Sequence, residues 1–378
     1  MSKLNKNSKS TNKNKDYTIA VLGSHSALDV CRGAKDEGFK TLVITEPGRD
    51  KTYAQYFKTV LFPNATLGCV DEVLEVKKFK DLLDPKNQKI LLDKNSIFVP
   101  HRSFEVYIND YNAIENDFKV PMFGNRKLLR SEERSESFNQ YNILDEAGIK
   151  YPKAFKSPKE IDRMAIVKVA ERERGFERAF FLASSEKDFK VTAEILLLEN
   201  KITEEALNAA VIEEFVLGVQ INFNFFYSPL TNKLELVGTD TRRQTNLDGL
   251  LRLPAAFQNQ IMDQIHVKYE EAGHIAVTSL ESILEGAFEV GEKFTKACNK
   301  LFPPGVIGPF SLQSVITAGP PKKEIIVFDV SPRMPGSPGI AATPYSKYLY
   351  GDNLSMGRRV AMEIKSAINA NTLNKLLT

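Results

Sequence analysis

Cysteine is scarce: Cys31, Cys69 and Cys298 are the only three in 378 residues. An odd number at wide spacing argues against a disulfide framework or a thiolate zinc site and suits a reducing, cytosolic compartment. The four histidines show no metal-ligand spacing, so His101, His266 and His274 read as surface or strand residues. No apolar run approaches the length that crosses a bilayer, and no apolar h-region marks a secretory signal. An excess of one charge is also missing: 51 Lys and Arg face 48 Asp and Glu, a net charge of +3, and much of that excess sits in residues 1–16, "MSKLNKNSKSTNKNKD". That tail has almost nothing apolar to bury and is expected to be a disordered, solvated basic segment. Neither a nucleic acid nor a membrane is expected as a partner. There is no internal repeat of fixed period.

What is present fits a globular enzyme. Hydrophobic residues make up 42% and charged residues 26%, ordinary values for a soluble protein. The length implies two or three domains. "YTIAVLG" (17–23), a helical pattern "ALDVCRGAKDEG" and "KTLVIT" (40–45) form a βαβ unit, the start of an open, Rossmann-like α/β domain with a parallel sheet over 17–124. Further strands are expected at 59–62, 97–100 and 120–123. From 126 helix-forming segments end at Gly148. "AIVKVAERERGFERAFFLASS" (165–185) then reads as two hairpin strands flanking a lid loop, with Lys168 on the first. "VIEEFVLGVQINFNFFYSP" (211–229) and the strands after it read as antiparallel sheet, closed by the helix "LSMGRRVAMEIKSAI" with Met356, Val360 and Ile364 on one face.

The residue types converge on a triphosphate. Lys168, on a strand beneath a lid, suits the inner phosphates. Glu213 and Glu214 end the strand "VIEEFV", placed to receive an adenine amine and ribose hydroxyls, while Phe215 or Val216 offers backbone groups to the ring edge. Gln313 and Asp329 lie on consecutive strands joined by a turn through Gly319, Pro320 and Pro321, a pairing that suits oxygen ligands for Mg²⁺. Arg333, four residues on, is placed to neutralise a transferring phosphoryl group. Structural alternatives stand beside these roles. His25 would cap the following helix, the Glu pair would be an exposed strand end, and Asp329 would form a salt bridge to Arg333. Arg358 and Arg359 read as a solvated or subunit-contact face, and Cys298 as core beside Phe294 and Leu301.

The sequence resembles the ATP-grasp superfamily. "LGSHSALDVCRGAKDEGF", "VPHRSF", "PMFGNRKLLR", "IEEFVLG", "FFYSPLTNKLELVGTDTRRQTNLDGLLRLPA", "PPGVIGPFSLQ" and "LSMGRRVAMEIK" look like the archaeal-type formate-dependent 5-formaminoimidazole-4-carboxamide ribonucleotide (FAICAR) synthetases, from about residue 17 to the end. The resemblance implies an ATP-grasp fold behind the first domain: a subdomain with the lid over 125–216 and one with the metal ligands over 217–378. It implies a carbon–nitrogen ligase of purine biosynthesis that uses ATP, Mg²⁺ (or Mn²⁺), formate and the aminoimidazole carboxamide ribonucleotide (AICAR), in a trimeric or hexameric homo-oligomer. Carried over by position, His25, Ser103 and Asn246 match ribonucleotide-contacting residues, with Arg242 in the same block. Lys168, Glu213 and Glu214 match ATP contacts, Gln313 and Asp329 match metal positions, and Arg126 or Lys127 stands where a cation meets the ATP phosphates. His25 and Arg333 are the catalytic candidates. Three departures stand out. The loop after Lys168 lacks the usual glycines, so Arg172, Arg174 or Arg178 would replace backbone cradling. Asp329 stands where Glu is usual, and Arg102 replaces a Gly. They keep open two alternatives: a paralogue that binds nucleotide or ribonucleotide without turnover, or a ligase for another small carboxylate.

Overall fold

A computed structural model describes residues 16–134, 136–169, 180–261, 264–265, 271–319 and 321–378. The basic tail to residue 15, Arg172, Arg174, Arg178, His266 and Pro320 lie outside the described residues. Strands β1 (Thr18–Leu22), β2 (Lys40–Thr45), β3 (Val60–Phe62), β4 (Ala65–Leu67), β5 (Glu72–Glu75) and β6 (Ser96–Phe98) come from the first hundred residues. Four of them form a parallel sheet in the order β5-β2-β1-β6. All of β1 is buried, as expected for a central parallel strand covered on both faces. The expected strand at 59–62 forms as β3, but among the described residues it pairs only with β4, in a hairpin that leaves Val60, Leu61, Phe62 and Leu67 exposed. The expected strand at 120–123 does not form. Pro121 has no N–H to donate, and the segment makes only isolated bridges, Phe98 to Met122 and Phe123 to Leu377.

Strands β7 (Ala154–Phe155), β8 (Ala165–Lys168), β9 (Phe180–Ala183) and β10 (Val211–Glu214) make a second, antiparallel sheet, ordered β7-β10-β8-β9. Lys168 ends β8 opposite Phe180 of β9, at the mouth of the hairpin. The third sheet holds β11 (Val219–Ser228), β12 (Lys233–Gln244), β13 (Glu271–Ala276), β14 (Gly308–Ile316) and β15 (Ile325–Ser331), ordered β13-β12-β11-β14-β15. The period-2 alternation of β11 decides its two faces. Ile221, Phe223 and Phe225 join Phe294, Ala297 and Cys298 of the Glu281–Leu301 helix in a core, whereas Asn222 and Asn224 face the other way and carry a polar surface.

The Met356–Ala370 helix packs on the Ala27–Asp36 helix, and Met356, Val360 and Ile364 complete the core begun by Ile19, Val21 and Val30. Two glycines permit this contact: a Cβ at Gly33 would lie 2.1 Å from the Arg358 amide nitrogen, and one at Gly357 2.2 Å from the Asp29 carbonyl oxygen. The arginine pair differs from the solvated face expected of it. Arg359 is buried, donates to both oxygens of Glu235 at 2.7 and 2.9 Å and to Glu363 at 2.9 Å, and lies 3.9 Å over the Phe226 ring. Arg358 stays partly exposed and bridges Glu37 and Asp352. Among the described residues, no helix is long and apolar enough to cross a membrane.

Candidate active site

Register across the third sheet aligns four polar residues. Asp240 of β12 pairs with Asn222, Asn222 with Gln313, and Gln313 with Asp329. Directly paired residues share a face, so the row runs across one side of the sheet, opposite the phenylalanines. The ladder slips beside Gln313: Ser314 pairs with Val327, leaving Phe328 as a bulge. Val327 and Val330 are thereby both buried while Asp329 stays partly exposed. Asp329 meets a residue from far away in sequence, Arg134, whose Nη2 lies 2.7 Å from Oδ1. The Arg134 Nε donates to the Tyr141 hydroxyl at 3.3 Å. Tyr141 in turn donates to Glu213, and the other Glu213 oxygen accepts from the buried Lys168. A continuous polar chain thus joins the third sheet to the second. Its middle is set by local chemistry: Asn139 caps the Gln140–Ala147 helix and donates to the Arg134 carbonyl at 3.0 Å, and the Gln140 side chain accepts from the Val330 amide at 2.7 Å. Burial pushes the Glu213 carboxyl up to about 7, against the pull of Arg134.

The chain continues from Asp329 toward the first domain. Arg242 approaches Asp329 at 3.9 Å and Glu271 at 3.3 Å. Glu271 also meets His274 Nε2 at 2.6 Å, and the other His274 nitrogen faces Asp240 and, at 3.0 Å, Ser337. Burial opposes a charge on His274, but the two carboxylates outweigh it and lift the imidazole to about 9. Next to Ser337, Gly336 packs on the His25 ring, which stacks on His101 with centroids 5.4 Å apart. Ser26 donates its one hydroxyl proton to the Pro335 carbonyl at 2.6 Å, so His25 Nδ1, 2.8 Å away, must be the donor to Ser26 Oγ. The neutral tautomer then leaves Nε2 as an acceptor. Burial, with Arg333 and the neighbouring histidines, holds the His25 pKa well below the usual value, so it is neutral near pH 7. Ser103 faces Ser24 at 3.1 Å, and its amide donates to His101 Nδ1 at 3.2 Å.

The structure therefore joins Lys168, Glu213, Asp329 and Arg242 in one chain of polar contacts, with Gln313 paired to Asp329 in the sheet; His25 and Ser103 lie beyond it, reached through Gly336 and His101. Other expectations land elsewhere. Arg126 is not aimed at phosphate: its guanidinium donates to the carbonyls of Ile114, Phe118, Val120 and Thr378 and ties down the chain terminus. Arg333 is buried against Glu132, with Nε 3.0 Å from Oε2, and near Glu105 at 3.7 Å, so it neutralises buried acids. The salt bridge considered between Asp329 and Arg333 is replaced by one to Arg134. Glu214 points away from Glu213 because strand neighbours alternate, and meets Arg163 at 3.3 Å. The Phe215 N–H donates to Met164 at 2.9 Å and is not open to an adenine edge, which leaves the later groups of the 215–218 linker, Val216 among them. Asn246 sits exposed, with φ +41°, in the turn after β12. His25 does not cap its helix; it adopts φ +48° just before Ser26. Arg102 bridges Glu105, Glu132 and Glu133. Sequence reasoning missed Arg134, Tyr141, Asp240 and His274; the one available signal was the polar alternation of "VGTDTRR", which puts Asp240 and Arg242 on the Asn222 face.

A divalent metal fits the Gln313–Asp329 pair. Gln313 Oε1 is buried without a hydrogen-bond partner beside the Asp329 carboxylate, and hard cations take oxygen ligands. Among the described residues, no group of three or more His, Cys, Asp or Glu gathers as a metal site, so the remaining ligands would come from phosphate and water. Family models match over most of the described chain: a protein of unknown function (DUF1246) over residues 19–155 and a domain of unknown function (DUF1297) over 188–378. The 5-formaminoimidazole-4-carboxamide-1-(beta)-D-ribofuranosyl 5'-monophosphate synthetase of Methanocaldococcus jannaschii is 41% identical over 368 residues, 97% of this chain and 96% of that protein. Its counterpart in Methanopyrus kandleri is 39% identical over 363 residues, 96% and 95% of the two chains. Among solved structures, the IMP biosynthesis protein PurP from Thermococcus kodakaraensis superposes with a TM-score of 0.68 at 27% identity, covering 95% of this chain and all of that one. The ADP complex of N5-carboxyaminoimidazole ribonucleotide synthetase, at 14% identity and a TM-score of 0.60, covers 93% of this chain and 77% of its own and shares the ATP-grasp fold. On these grounds the chain belongs to the family of 5-formaminoimidazole-4-carboxamide ribonucleotide synthetases, ATP-grasp ligases behind an open α/β domain.

Proposed function

We propose that this chain is an ATP- and formate-dependent ligase that formylates the 5-amine of AICAR to give FAICAR. The observation that supports this reading is the chain of side-chain contacts from Lys168 through Glu213, Tyr141, Arg134, Asp329, Arg242 and Glu271 to His274 and Ser337, whose neighbour Gly336 packs on His25. In the reaction a formate oxygen attacks the γ-phosphorus and the bond to ADP breaks, leaving formyl phosphate. The AICAR amine nitrogen then attacks the formyl carbon, the carbon–oxygen bond to phosphate breaks, and inorganic phosphate departs. Lys168 and Arg134 hold the phosphate oxygens, matching negative charge with cations in a partly desolvated cleft. His25 Nε2, unprotonated and held by Ser26 at its other nitrogen, takes the proton the amine must lose. Ser103 and Arg242 line the ribonucleotide side, with Asn246 in the turn above. Gln313 and Asp329 would hold Mg²⁺ or Mn²⁺, which supplies charge neutralisation for the transferring phosphoryl group.

Formate is selected by exclusion, since a pocket too tight for a methyl group is the available means of rejecting acetate. The β3–β4 hairpin supports a homo-oligomer: Leu61 is 79% exposed on a two-stranded ribbon of a kind that is marginal alone. Three free, buried cysteines suit a reducing cytoplasm. The test is ADP release on mixing protein, ATP and Mg²⁺ with formate and AICAR. The expected result is dependence on both acceptors and transfer of ¹⁸O from labelled formate into phosphate. Turnover without AICAR dependence, or phosphate free of label, would overturn the assignment or the formyl phosphate step respectively.

A further inference from the structure

The link between Asp329 and Arg134 raises a problem that the metal reading alone does not answer. A carboxylate oxygen that holds a guanidinium at 2.7 Å is a weaker ligand for a divalent cation, because the two cations repel each other across it. The other carboxylate oxygen faces Arg242 at 3.9 Å. The chain Asp329–Arg134–Tyr141–Glu213–Lys168 sets two acids against two bases, with the tyrosine hydroxyl between and Arg242 as a further cation beside Asp329. A triphosphate brings about four negative charges into this balance and gives both bases new acceptors. Arg134 is built to respond. Its backbone is fixed through its carbonyl to Asn139 and its neighbour helix to β15, so the long side chain can turn without moving the loop.

We propose that Arg134 guards the metal position: it pairs with Asp329 while no nucleotide is present and is drawn off by phosphate oxygens, so that the divalent cation enters only together with the nucleotide. This rests on the reading of Gln313 and Asp329 as metal ligands. The guard makes metal and nucleotide mutually dependent, each tightening the other by the same factor, as linkage requires. A site that stays closed to metal alone keeps Asp329 from being held by a cation in an arrangement into which the nucleotide cannot fit.

The experiment measures Mn²⁺ binding by electron paramagnetic resonance to the full chain, with and without ADP, for the wild type, Arg134→Gln, Tyr141→Phe and Asp329→Asn. Without nucleotide, Arg134→Gln is expected to bind Mn²⁺ about tenfold more tightly than the wild type, and the factor by which ADP tightens Mn²⁺ binding falls correspondingly. Tyr141→Phe, which removes only the hydroxyl holding the guanidinium, shifts nucleotide-free affinity the same way by about threefold, and serves if the Arg134 variant fails to fold. Unchanged AICAR affinity reports an intact fold. Equal nucleotide-free Mn²⁺ affinity in wild type and both variants, with Asp329→Asn losing Mn²⁺ in the presence of ADP, overturns the guard alone. Full Mn²⁺ binding by Asp329→Asn with ADP present overturns the metal position and the guard together.

Discussion

A Gly336→Ala chain would carry a methyl group 2.6 Å from both Cε1 and Nε2 of His25. Ordinary contact needs about 3.4 Å, so the ring must retreat by about 0.8 Å or the loop must shift. The ring is not free to move: His25 stacks on His101, whose Nε2 bonds the Leu22 carbonyl at 2.8 Å and whose Nδ1 accepts from Ser103. Nδ1 of His25 is pinned to Ser26, so the displacement falls on Nε2, the atom assigned to take the amine proton. Misplacing a reacting group by about 1 Å costs on the order of 100-fold in rate, and overpacking costs about 1–3 kcal/mol of stability. The expected outcome is a kcat for FAICAR formation lowered about 100-fold, with ADP affinity unchanged because Lys168 and Glu213 belong to other elements. Gly339→Ala, in the same loop but with no atom within 4 Å of its added carbon, is the control and keeps wild-type kcat. Steady-state kinetics with urea denaturation on the three chains decide it. A folded Gly336→Ala enzyme with wild-type kcat and AICAR KM would refute both the packing argument and the role of His25.

Asp329→Asn is expected to abolish turnover while leaving AICAR binding nearly intact by calorimetry, because the carboxylate acts on the phosphate side; equal loss of both would reject that division. His274, lifted to about 9 from an ordinary 6.5, contributes stability that is fully present below pH 6.5 and is lost as pH rises through about 9. The melting temperature of the wild type should accordingly fall over that window relative to His274→Asn, and parallel profiles would refute it. Arg359→Leu leaves Glu235 and Glu363 buried without their cation and should cost about 3–5 kcal/mol in urea unfolding, with kcat little changed at low temperature. Lys168→Met should weaken ADP binding at least about tenfold while sparing AICAR binding; unchanged ADP affinity would remove Lys168 from the nucleotide end.

Local pattern determined a good deal. The apolar runs at 17–23 and 40–45, spaced by one helix, could only pair in parallel, and the alternation of Asn222 and Asn224 with Ile221, Phe223 and Phe225 already assigned one polar and one apolar face. Gln313 and Asp329 came together because a short turn joins their strands, and short-range pairing is legible in sequence. The long motif blocks carried the family. What the sequence left open are the partners of its charges. Arg126 went to the backbone carbonyls of Ile114, Phe118, Val120 and Thr378 and Arg333 to Glu132, while Arg134 reached Asp329 from 195 positions away and Tyr141 reached Glu213 from 72. A charged side chain on an irregular segment has no period that announces its partner, and a long, flexible arginine can serve any acid or carbonyl within reach. Only the docking of the three sheets fixed which acid lay there.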